Sequence, residues 1–529
     1  MPNNGRADSA ACQPMKARAP NPHFPRSSGI LLHPTSLPGP FGIGDLGSEA
    51  STFIDFLSEA GQTLWQVLPL GPTGYGDSPY QCFSALAGNP LLISPEKLRQ
   101  QGLLEPRDLR DAPRFRADQV DFGVVLPWKT ALLERAAKRF LADASGPARA
   151  PFDAFCEKNT AWLEDFALFM ALKRAHGDGV WWQWEDGARS RGPRVMERLR
   201  KELAGATAVH RFLQFMFFNQ WDELRRRARA SRIRIMGDLP IYVAHDSADV
   251  WANPRYFQLD AAGNPIAVAG VPPDYFSATG QLWGNPLYRW EALAADGYRW
   301  WIDRFRSVLQ LVDLIRLDHF RGFESHWEVP APAATAEHGR WVKAPGGDLL
   351  QAALDALGDL PLVAENLGVI TPEVEALRAR FGFPGMSILQ FAFGNDPQAP
   401  DFRPHNYPRG IVAYTGTHDC DTTVGWWTSE GKGESTRSPE DIRREHDFAK
   451  RYLHTDGREI HWDFITALEA SVADTVLIPL QDVLGLGSQA RMNRPATLGG
   501  NWRWRCRLEM LTASLAARLK ELAATYDRC

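Results

Sequence analysis

Short, almost continuous apolar runs recur along the chain and predict buried strands. They are rich in Leu, Ile and Val, and a polar segment follows each of them. Such runs are typical of parallel strands that are covered on both faces. The predicted strands are Gly29–His33, Leu64–Leu70, Ile233–Leu239, Leu314–Phe320, Leu362–Asn366, Ile388–Phe393, Ile411–Gly416 and Thr475–Leu480.

Helical patterns separate most of these strands. In Ser48–Gly61 the apolar residues share one face, and Ser48 is placed to cap the first turn. Three further helices are predicted at Tyr298–Val312, Asp348–Leu357 and Thr371–Phe381, the last with Thr371 as its N-cap. This alternation predicts an α/β protein with a (β/α)8 TIM barrel. An open parallel sheet is the alternative, and the sequence pattern separates these two architectures only weakly.

Insertions are predicted because 529 residues exceed the roughly 250 of a plain barrel. Residues 29–529 form the predicted catalytic barrel. Residues 1–28 are predicted to be a disordered tail, because they lack the apolar core of a signal peptide. The barrel carries a mostly helical insertion at 93–210, an active-site loop insertion at 244–287 and a smaller insertion at 421–460. Helices outside the barrel repeat are predicted at Pro127–Ala144, Phe152–His176, Arg194–Ser231, Thr428–Tyr452 and Arg507–Tyr526, and no room is left for a C-terminal β-sandwich domain.

Charge and cysteine content narrow the function classes. The chain has 59 Lys and Arg against 63 Asp and Glu, a net charge of −4 without a long block of one sign. This balance argues against nucleic acid or an anionic membrane surface as a partner. Apolar runs stay well short of a membrane span. The 6 cysteines are scattered without a CxxC pair, which predicts a reduced, cytoplasmic enzyme.

Three of the predicted strands lead into an acidic residue: Asp318, Glu365 and Asp419. In a (β/α)8 barrel the C-terminal ends of the strands carry the catalytic residues. Cleavage of a glycosidic bond needs a carboxylate nucleophile and a carboxylic acid that donates a proton. The sequence therefore predicts glycosidic chemistry at this end of the barrel.

Arg316 and Asp318 are two residues apart on one predicted strand, so their side chains leave the same face. A neighbouring guanidinium favours the ionised carboxylate that a nucleophile requires. The same spacing also fits a structural ion pair at the barrel mouth, and this segment alone leaves both interpretations open. Partial burial near an ionised Asp318 would keep Glu365 protonated, as a general acid requires.

The segment from His418 to Asp421, His-Asp-Cys-Asp, contains residue types that bind metals. A second His cluster does not lie near it in the sequence. Groups that bind sugar hydroxyls suit the predicted chemistry better than a zinc site does. The sequence therefore favours a site without a metal, and a metal-dependent barrel hydrolase is the distant alternative.

The segments that carry these acids resemble the catalytic motifs of the amylomaltases. These are the 4-α-glucanotransferases of glycoside hydrolase family 77, which is related to the α-amylases. The three segments are Arg316-Leu-Asp-His-Phe-Arg-Gly322, Ala364-Glu-Asn-Leu-Gly368 and Thr415-Gly-Thr-His-Asp419. The resemblance extends from about Gly29 to Arg505 in the family's order, through His33-Pro-Thr-Ser-Leu-Pro-Gly39, Gly74-Tyr-Gly-Asp-Ser-Pro-Tyr-Gln81, Gly88-Asn-Pro90, Gly237-Asp-Leu-Pro-Ile-Tyr-Val243, Pro272-Pro-Asp-Tyr-Phe276 and Leu282-Trp-Gly-Asn-Pro286.

The resemblance implies roles for these positions. Asp318 would be the nucleophile, Glu365 the general acid/base and Asp419 the stabiliser that binds sugar hydroxyls. The substrate-binding residues that it implies are Arg316, Asp238 and His418 in the donor subsite, Tyr80 against the sugar ring at the cleavage point, Ser78 in the same segment, Asp274 and Trp283 on the loop that covers the site, Tyr75 as a remote glucan-binding aromatic, and Asn493.

Two positions depart from the family's pattern, and one segment has a second interpretation. Ala496 stands where the family usually has the Gly of Pro-Gly-Thr, so the backbone turn there is less certain. Cys420 stands where relatives often carry another small polar residue, and we expect little effect. The segment from Tyr75 to Tyr80 could also be a simple turn without a role in binding.

The activity that the resemblance implies is 4-α-glucanotransfer by a retaining double displacement through a covalent glycosyl-Asp intermediate. The expected partners are maltooligosaccharides, amylose or glycogen-derived glucans, with glucose as an acceptor. Neither a metal nor an organic cofactor is expected, and the chain would act as a monomer or weak homo-oligomer. An α-glucan hydrolase with the same acids and a catalytically silent glucan-binding protein are the alternatives.

Overall fold

The computed structural model describes residues 21–143, 145–273, 279–431, 438–497 and 499–529. Its strands belong to two sheets. They are β1 (Ser27–Leu31), β2 (Leu64–Gln66), β3 (Arg234–Leu239), β4 (Ala267–Val271), β5 (Gln281–Pro286), β6 (Leu314–Leu317), β7 (Ser325–Pro330), β8 (Arg340–Lys343), β9 (Leu362–Ala364), β10 (Gly385–Ile388), β11 (Ile411–Tyr414) and β12 (Thr475–Pro479).

The larger sheet is a parallel barrel, which confirms the predicted fold. Its 8 strands follow the order β10-β11-β12-β1-β2-β3-β6-β9. The two end strands of this order approach each other where the Ala364 backbone N–H donates to the Pro384 carbonyl at 2.9 Å. Both β1 and β12 are buried along their whole length, as the continuous apolar runs predict.

Helices alternate with the barrel strands and fill the stretch between β2 and β3. The α-helices are α1 (Ser48–Glu59), α2 (Pro95–Gln100), α3 (Pro106–Arg110), α4 (Phe122–Ala142), α5 (Arg149–Lys158), α6 (Thr160–Ala175), α7 (Asp186–Arg189), α8 (Pro193–Glu202), α9 (Ala204–Ala230), α10 (Ala248–Ala252), α11 (Trp290–Ala295), α12 (Arg299–Leu311), α13 (Gly346–Leu357), α14 (Pro372–Phe381), α15 (Thr423–Thr428), α16 (Pro439–Leu453), α17 (Ile460–Glu469), α18 (Leu480–Val483) and α19 (Ala513–Thr525). Short 3-10 helices lie at Pro34–Ser36, Tyr75–Asp77, Pro90–Leu92, Trp181–Gln183, Pro254–Tyr256, Phe320–Phe323, Leu389–Ala392, Ala399–Phe402, Pro404–Asn406, Ser488–Ala490 and Leu508–Met510.

The sixth barrel strand was placed too late in the sequence. The prediction was Ile388–Phe393, whereas β10 is Gly385–Ile388 and a 3-10 helix follows at Leu389–Ala392. Most of this helix is buried, so its apolar residues give the same continuous pattern as a buried strand. The other predicted strands overlap the observed ones, and most of them end two to four residues earlier than predicted.

Two helices that were predicted as continuous are interrupted. The prediction Phe152–His176 spans α5 and α6, which are separated at Asn159. The Asn159 amide donates to the Phe155 carbonyl at 2.8 Å, and a short polar side chain that bonds the backbone in this way favours a helix boundary. The prediction Arg194–Ser231 likewise spans α8 and α9, separated at Leu203.

One predicted helix cap and one predicted helix start are also wrong. The N-cap of α1 is Gly47, without a side-chain cap, and the Ser48 hydroxyl donates to Glu49 instead. The final helix begins at Ala513 rather than Arg507, because the Thr512 hydroxyl caps it by accepting from the Leu515 N–H at 3.2 Å.

The smaller sheet was not predicted. It is antiparallel in the order β5-β4-β7-β8, and β4 and β5 lie within the predicted loop insertion 244–287. A register shift between Val268 and Gly270 interrupts the pairing of β4 with β5, and Gly284 in β5 has a positive φ of 76°. Bulges and glycines of this kind break the two-residue alternation by which a strand is detected in a sequence.

The ends of the described chain pack on the barrel. Residues 1–20, most of the predicted tail, lie outside the described residues, and β1 begins at Ser27. After β12, the described residues form helices and loops. Among the helices of the described ranges, none is both long and apolar enough for a membrane span.

The register of the barrel gathers charged residues at one end. Strands β3, β6 and β9 are neighbours, and Asp238 of β3 lies directly opposite Arg316 of β6. Asp318 directly follows β6 and Glu365 directly follows β9. The C-terminal ends of these strands therefore present a guanidinium and three carboxyl groups to one another.

Candidate active site

Arg316 is the centre of this cluster. Its Nη1 lies 2.6 Å from Asp238 Oδ2 and 2.8 Å from Asp318 Oδ1, and its Nη2 lies 3.8 Å from Glu365 Oε2. The side chains of Arg316 and Asp238 are buried, whereas those of Asp318 and Glu365 are 23% and 16% exposed. One buried cation thus faces two carboxyl groups that remain accessible.

The Glu365 carboxyl is fixed by the segment that follows β6. The His319 backbone N–H donates to Glu365 Oε2, and the Phe320 N–H donates to the Glu365 carbonyl at 3.1 Å. His319 adopts a positive φ of 48°, a backbone conformation that costs free energy and that is found where surrounding contacts enforce it. The residues after Asp318 therefore hold Glu365 beside it.

Asp419 approaches from the other side, on the loop between β11 and α15. Its Oδ1 accepts from the Asn493 amide at 2.6 Å, and its Oδ2 lies 3.3 Å from His418 Nε2. The Asp419 side chain is 43% exposed. Arg491 donates to the Asp419 carbonyl at 2.6 Å, so two residues that follow β12 fix the position of this carboxylate.

Tyr80 connects the two halves of the cluster. Its hydroxyl donates to Asp238 Oδ2 at 2.9 Å. Its ring stacks on the His418 ring, with centroids 5.1 Å apart and an interplanar angle of 15°. The Trp502 ring lies 5.9 Å from that of Tyr80. The segment predicted either as a turn or as part of a binding site therefore contacts the charged cluster directly.

Burial raises the pKa of the two carboxyl groups beside Arg316. The pKa of Asp318 rises to about 7, because burial and the charges of Asp238 and Glu365 outweigh the attraction of Arg316. Burial also raises the pKa of Glu365, against the contact with Arg316 and the hydrogen bond from the His319 N–H. Groups this close titrate as a pair, and the pair keeps a proton up to near-neutral pH.

The pKa of Asp419 is shifted in the opposite direction. Removal from water alone would raise its pKa, but His418 and the Asn493 amide hold the pKa of Asp419 well below its usual range. Burial lowers the pKa of His418, and the neighbouring Asp419 more than offsets this, so that the pKa of His418 lies above its usual value. The site thus combines one carboxyl group with a lowered pKa and two carboxyl groups with raised pKa values.

A large cleft opens over the cluster, with a cavity volume of about 690 Å³. Asp318 and Glu365 both line it. The other predicted site residues that line it are Arg316, His418, Asp419, Ser78, Tyr80, Tyr75, Trp283 and Asn493. Asp238 does not line the cleft, because its side chain is fully buried beneath Arg316. Asp274 lies outside the described residues.

The remaining predicted residues differ in how they are held. Tyr75 is 73% exposed at the rim of the cleft. The Ser78 hydroxyl accepts from the Tyr80 N–H at 3.2 Å and so shapes the turn that carries Tyr80. Trp283 on β5 lies edge-on to His319, with centroids 4.8 Å apart.

The side-chain geometry of His418 to Asp421 does not support the alternative of a metal site. In the described part of the chain, no group of three or more His, Cys, Asp or Glu side chains could hold a metal ion. Asp421 accepts from the Ser488 hydroxyl at 2.7 Å, and Cys420 lies 3.6 Å from the Thr417 hydroxyl. These side chains therefore point to different partners.

Comparison with known proteins assigns this chain to a family. The family model described as 4-alpha-glucanotransferase matches residues 32–511. The chain belongs to the 4-α-glucanotransferase family. This confirms the resemblance that the sequence motifs indicated, and the chain is an enzyme of this family.

Two bacterial members illustrate how far the similarity extends. The 4-alpha-glucanotransferases of Thermus thermophilus and Synechocystis are each 51% identical to this chain, over 96% and 95% of it and over 99% and 98% of the relatives. The solved amylomaltase of Streptococcus agalactiae in complex with acarbose has a TM-score of 0.89 and 39% identity, with 95% of this chain and 99% of that chain covered.

One departure from the family's pattern has a structural counterpart. Ala496, which stands where the 4-α-glucanotransferases usually have Gly, has a positive φ of 62°. A side chain disfavours this left-handed conformation, and glycine adopts it freely. Ala496 therefore holds the left-handed backbone conformation that glycine favours.

Several residues of the cleft were not predicted. They are Trp182, His245, Arg321, Trp341 and Phe391. The signal for Trp341 was present, because this tryptophan stands in the polar segment Glu-His-Gly-Arg-Trp-Val-Lys, where an apolar ring has no predicted core to join. Arg321 lies within a quoted motif, but its contact with Trp341 joins two segments that only the fold brings together.

Proposed function

We propose that this enzyme transfers α-1,4-glucan segments from a donor maltooligosaccharide to the 4-OH of glucose or another glucan. The observation that carries the proposal is the placement of Asp318 and Glu365 against one guanidinium, where burial raises the pKa of both carboxyl groups. A retaining glycosidase needs these two carboxyl groups in different protonation states on either side of the bond that is cleaved.

In the first step, Asp318 acts as the nucleophile and Glu365 as the acid. Arg316 Nη1 lies 2.8 Å from Asp318 but its Nη2 lies 3.8 Å from Glu365, so the negative charge is favoured on Asp318 and the proton on Glu365. Asp318 attacks the anomeric carbon while Glu365 protonates the leaving 4-oxygen. The products are a covalent glycosyl-Asp318 and a shortened glucan.

In the second step, the roles of Glu365 reverse. Glu365, now a carboxylate, takes the proton from the 4-OH of an incoming sugar, whose oxygen attacks the anomeric carbon and displaces Asp318. The new bond is α-1,4 because two inversions retain the configuration. Glu365 ends with the proton that it had at the start, so the cycle consumes neither water nor a cofactor.

Asp419 and its neighbours bind the sugar that reacts. A carboxylate that stays ionised and is 43% exposed is an acceptor for ring hydroxyls, and it favours the positive charge that develops in the oxocarbenium-like transition state. His418, Asn493 and Tyr80 complete the donor subsite. Asp238 is buried beneath Arg316 and acts by positioning Arg316 and Tyr80.

Transfer instead of hydrolysis requires that the intermediate meets a sugar before water. Trp283, which lies edge-on to His319, and Asp274 belong to the segment proposed to restrict water, while Tyr75 at the rim binds a more distant part of the glucan. The proposed substrates are maltooligosaccharides, amylose and glycogen-derived glucans. We propose a cytoplasmic enzyme that acts as a monomer or weak homo-oligomer.

Incubation with maltotriose tests the activity. We expect glucose and longer glucans to form while the number of reducing ends stays constant. A rise in reducing ends would instead identify a hydrolase. Binding of maltoheptaose without any change in chain length would identify a silent glucan-binding protein.

The mechanism is tested with α-maltotriosyl fluoride, whose leaving group needs no protonation. Glu365→Gln should still form the covalent intermediate but fail to release it, so that mass spectrometry of the intact protein detects the added maltotriosyl group. Asp318→Asn should form no adduct. Asp447→Asn, on the exposed face of α16, is the matched control and should turn over normally. An adduct on Asp318→Asn would contradict the assignment of the nucleophile.

A further inference from the structure

Trp341 is an exposed aromatic ring that the fold holds in one orientation. It is 39% exposed, although most large apolar side chains of the barrel are buried. The Arg321 guanidinium lies over its ring, 3.6 Å from the centroid. The Trp327 ring, which lies opposite it on β7, packs against it at 62° with centroids 5.1 Å apart.

Arg321 is itself firmly anchored. It is buried, it donates to the Val369 carbonyl, and its Nη2 donates to the Ser325 hydroxyl at 3.1 Å. The Trp327 indole N–H donates to the Ala336 carbonyl at 2.8 Å. Both neighbours of Trp341 are thus fixed by hydrogen bonds, and the exposed ring is preorganised.

The ring lies beside the place where the segments that follow Asp318 and Glu365 contact each other. Trp341 lines the same cleft as the catalytic carboxyl groups. The 3-10 helix that carries Arg321 begins next to His319, whose N–H donates to Glu365, and Arg321 reaches Val369 on the segment that follows Glu365. Asp419, Asn493 and Trp502 line the same cleft.

Given the proposed function, this placement puts Trp341 on the side of the site where the leaving glucan and the acceptor bind. Glu365 protonates the oxygen that leaves and later deprotonates the 4-OH that enters, so the leaving glucan and the acceptor both occupy its flank. An acceptor presents the 4-OH of its non-reducing end, and its remaining sugars extend outward from Glu365. Glucose fills only the first position, whereas maltoheptaose continues along the flank.

We infer that Trp341, with Arg321 behind it, is an acceptor-side platform that stacks on a glucose unit of a long α-glucan and favours long acceptors over glucose. The inference rests on the proposed transferase function. The apolar faces of hexopyranose rings pack on aromatic rings, and the buried Arg321 keeps this ring in place when the site is empty.

The experiment compares two acceptors in one enzyme. Amylose serves as the donor, and either radiolabelled glucose or maltoheptaose labelled at its reducing end serves as the acceptor. The ratio of kcat/KM for maltoheptaose to kcat/KM for glucose should fall about five- to tenfold in Trp341→Ala. The ratio is used because a loss of folded enzyme or of the common chemistry affects both acceptors equally.

Two variants distinguish a loss of stacking on the glucan from a general disturbance of strand β8. Trp341→Phe keeps an aromatic face and should restore most of the ratio. Lys343→Ala changes an exposed residue of the same strand that does not line the cleft, and its ratio should equal that of the wild type. An unchanged ratio in Trp341→Ala overturns the inference, and so does an equal fall of the ratio in Lys343→Ala. In either case, transfer by the wild type leaves the proposed function intact.

A binding measurement keeps the inference testable if the wild type transfers no sugar. Calorimetry then gives the Kd of maltoheptaose for the wild type and for Trp341→Ala. A Kd weakened about five- to tenfold supports glucan stacking at Trp341 although the proposed function has failed. An unchanged Kd overturns the inference.

Discussion

At the scale of single residues, the site combines groups whose environments push their pKa values apart. Asp318 and Glu365 share a proton, because burial raises the pKa of both. Asp419 stays ionised, because His418 and Asn493 contact it. Such divergence of neighbouring carboxyl groups is typical of acid and base pairs in catalysis.

The first prediction concerns the pH profile. Activity needs one proton on the coupled pair, so kcat/KM should fall as the pH rises and this proton is lost, at about pH 7. The charge of Asp238 raises the pKa of both Asp318 and Glu365. Asp238→Asn removes this charge and should move the alkaline limb of the profile to lower pH, by about half a unit or more. A limb that moves to higher pH would contradict the electrostatic argument, and Asp447→Asn should leave it in place.

The second prediction concerns stability. The folded pKa of Asp318 of about 7 exceeds the roughly 3.9 of an unfolded aspartate. Between these values the unfolded state loses its proton first, so the free energy of unfolding falls as the pH rises, and the loss is complete above pH 7. Asp318→Asn removes this penalty. Its Tm should exceed that of the wild type by about 2 °C more at pH 8 than at pH 5, as measured by calorimetry. A difference that shrinks with pH would refute it.

At the scale of elements, the ends of the loop that carries Asp419 are tied together by one buried carboxyl group. Asp482 on α18 is 1% exposed. Its oxygens accept from the hydroxyls of Thr415 and Thr423, at 2.5 and 2.9 Å, and from the Thr423 N–H at 2.6 Å. Burial raises the pKa of Asp482 to about 6. This residue therefore sets the geometry of the loop without lining the main cleft.

The third prediction tests this tie. Asp482→Ala leaves three buried donors without a partner and should lower the free energy of unfolding by about 2–3 kcal/mol. It should also lower kcat/KM, because Asp419 loses its fixed position. Thr415→Val removes one donor together with its need for a partner and should cost only about 1 kcal/mol. Urea denaturation and kinetics measure both, and an unchanged kcat/KM in Asp482→Ala would show that the loop is held by other contacts.

The elements also show how much of the molecule the sequence could predict. The barrel was predictable because buried parallel strands leave continuous apolar runs, and Asp318 and Glu365 follow such runs directly. The position of β10 was not, because the buried 3-10 helix Leu389–Ala392 gives the same pattern. The small sheet and the contact of Arg321 with Trp341 join segments that are distant from one another or irregular, and local periodicity does not encode such pairings.

At the scale of the whole molecule, the segment that follows α19 is joined to the end of the barrel opposite the candidate active site. The Arg528 side chain is fully buried, and its Nε lies 3.1 Å from the equally buried Glu469. It also donates to the carbonyls of Ser27, Leu468, Ser471 and Asp474. This arginine therefore joins α19, α17, β1 and the segment before β12.

The fourth prediction concerns this ion pair. Arg528→Ala leaves the buried Glu469 without its ion-pair partner, with the Ser28 hydroxyl still donating to its carboxyl group at 2.6 Å, and should lower the free energy of unfolding by about 3 kcal/mol. The kcat of the folded enzyme at low temperature should change little, because residues at the N-terminal face of a barrel serve stability. Lys520→Ala, an exposed change on α19, should alter neither. Equal denaturation midpoints for Arg528→Ala and the wild type would show that the ion pair contributes nothing.

The closure of the barrel has a consequence for how the chain is made. Strand β1 pairs with β12, and Ser27 meets Thr475 across 448 positions of sequence. During synthesis, one edge of β1 stays unpaired until almost the whole barrel has left the ribosome. Arg528 leaves the ribosome later still. An unpaired apolar edge invites association with other chains. Chains interrupted before β12 are therefore expected to aggregate rather than to persist as partly folded barrels.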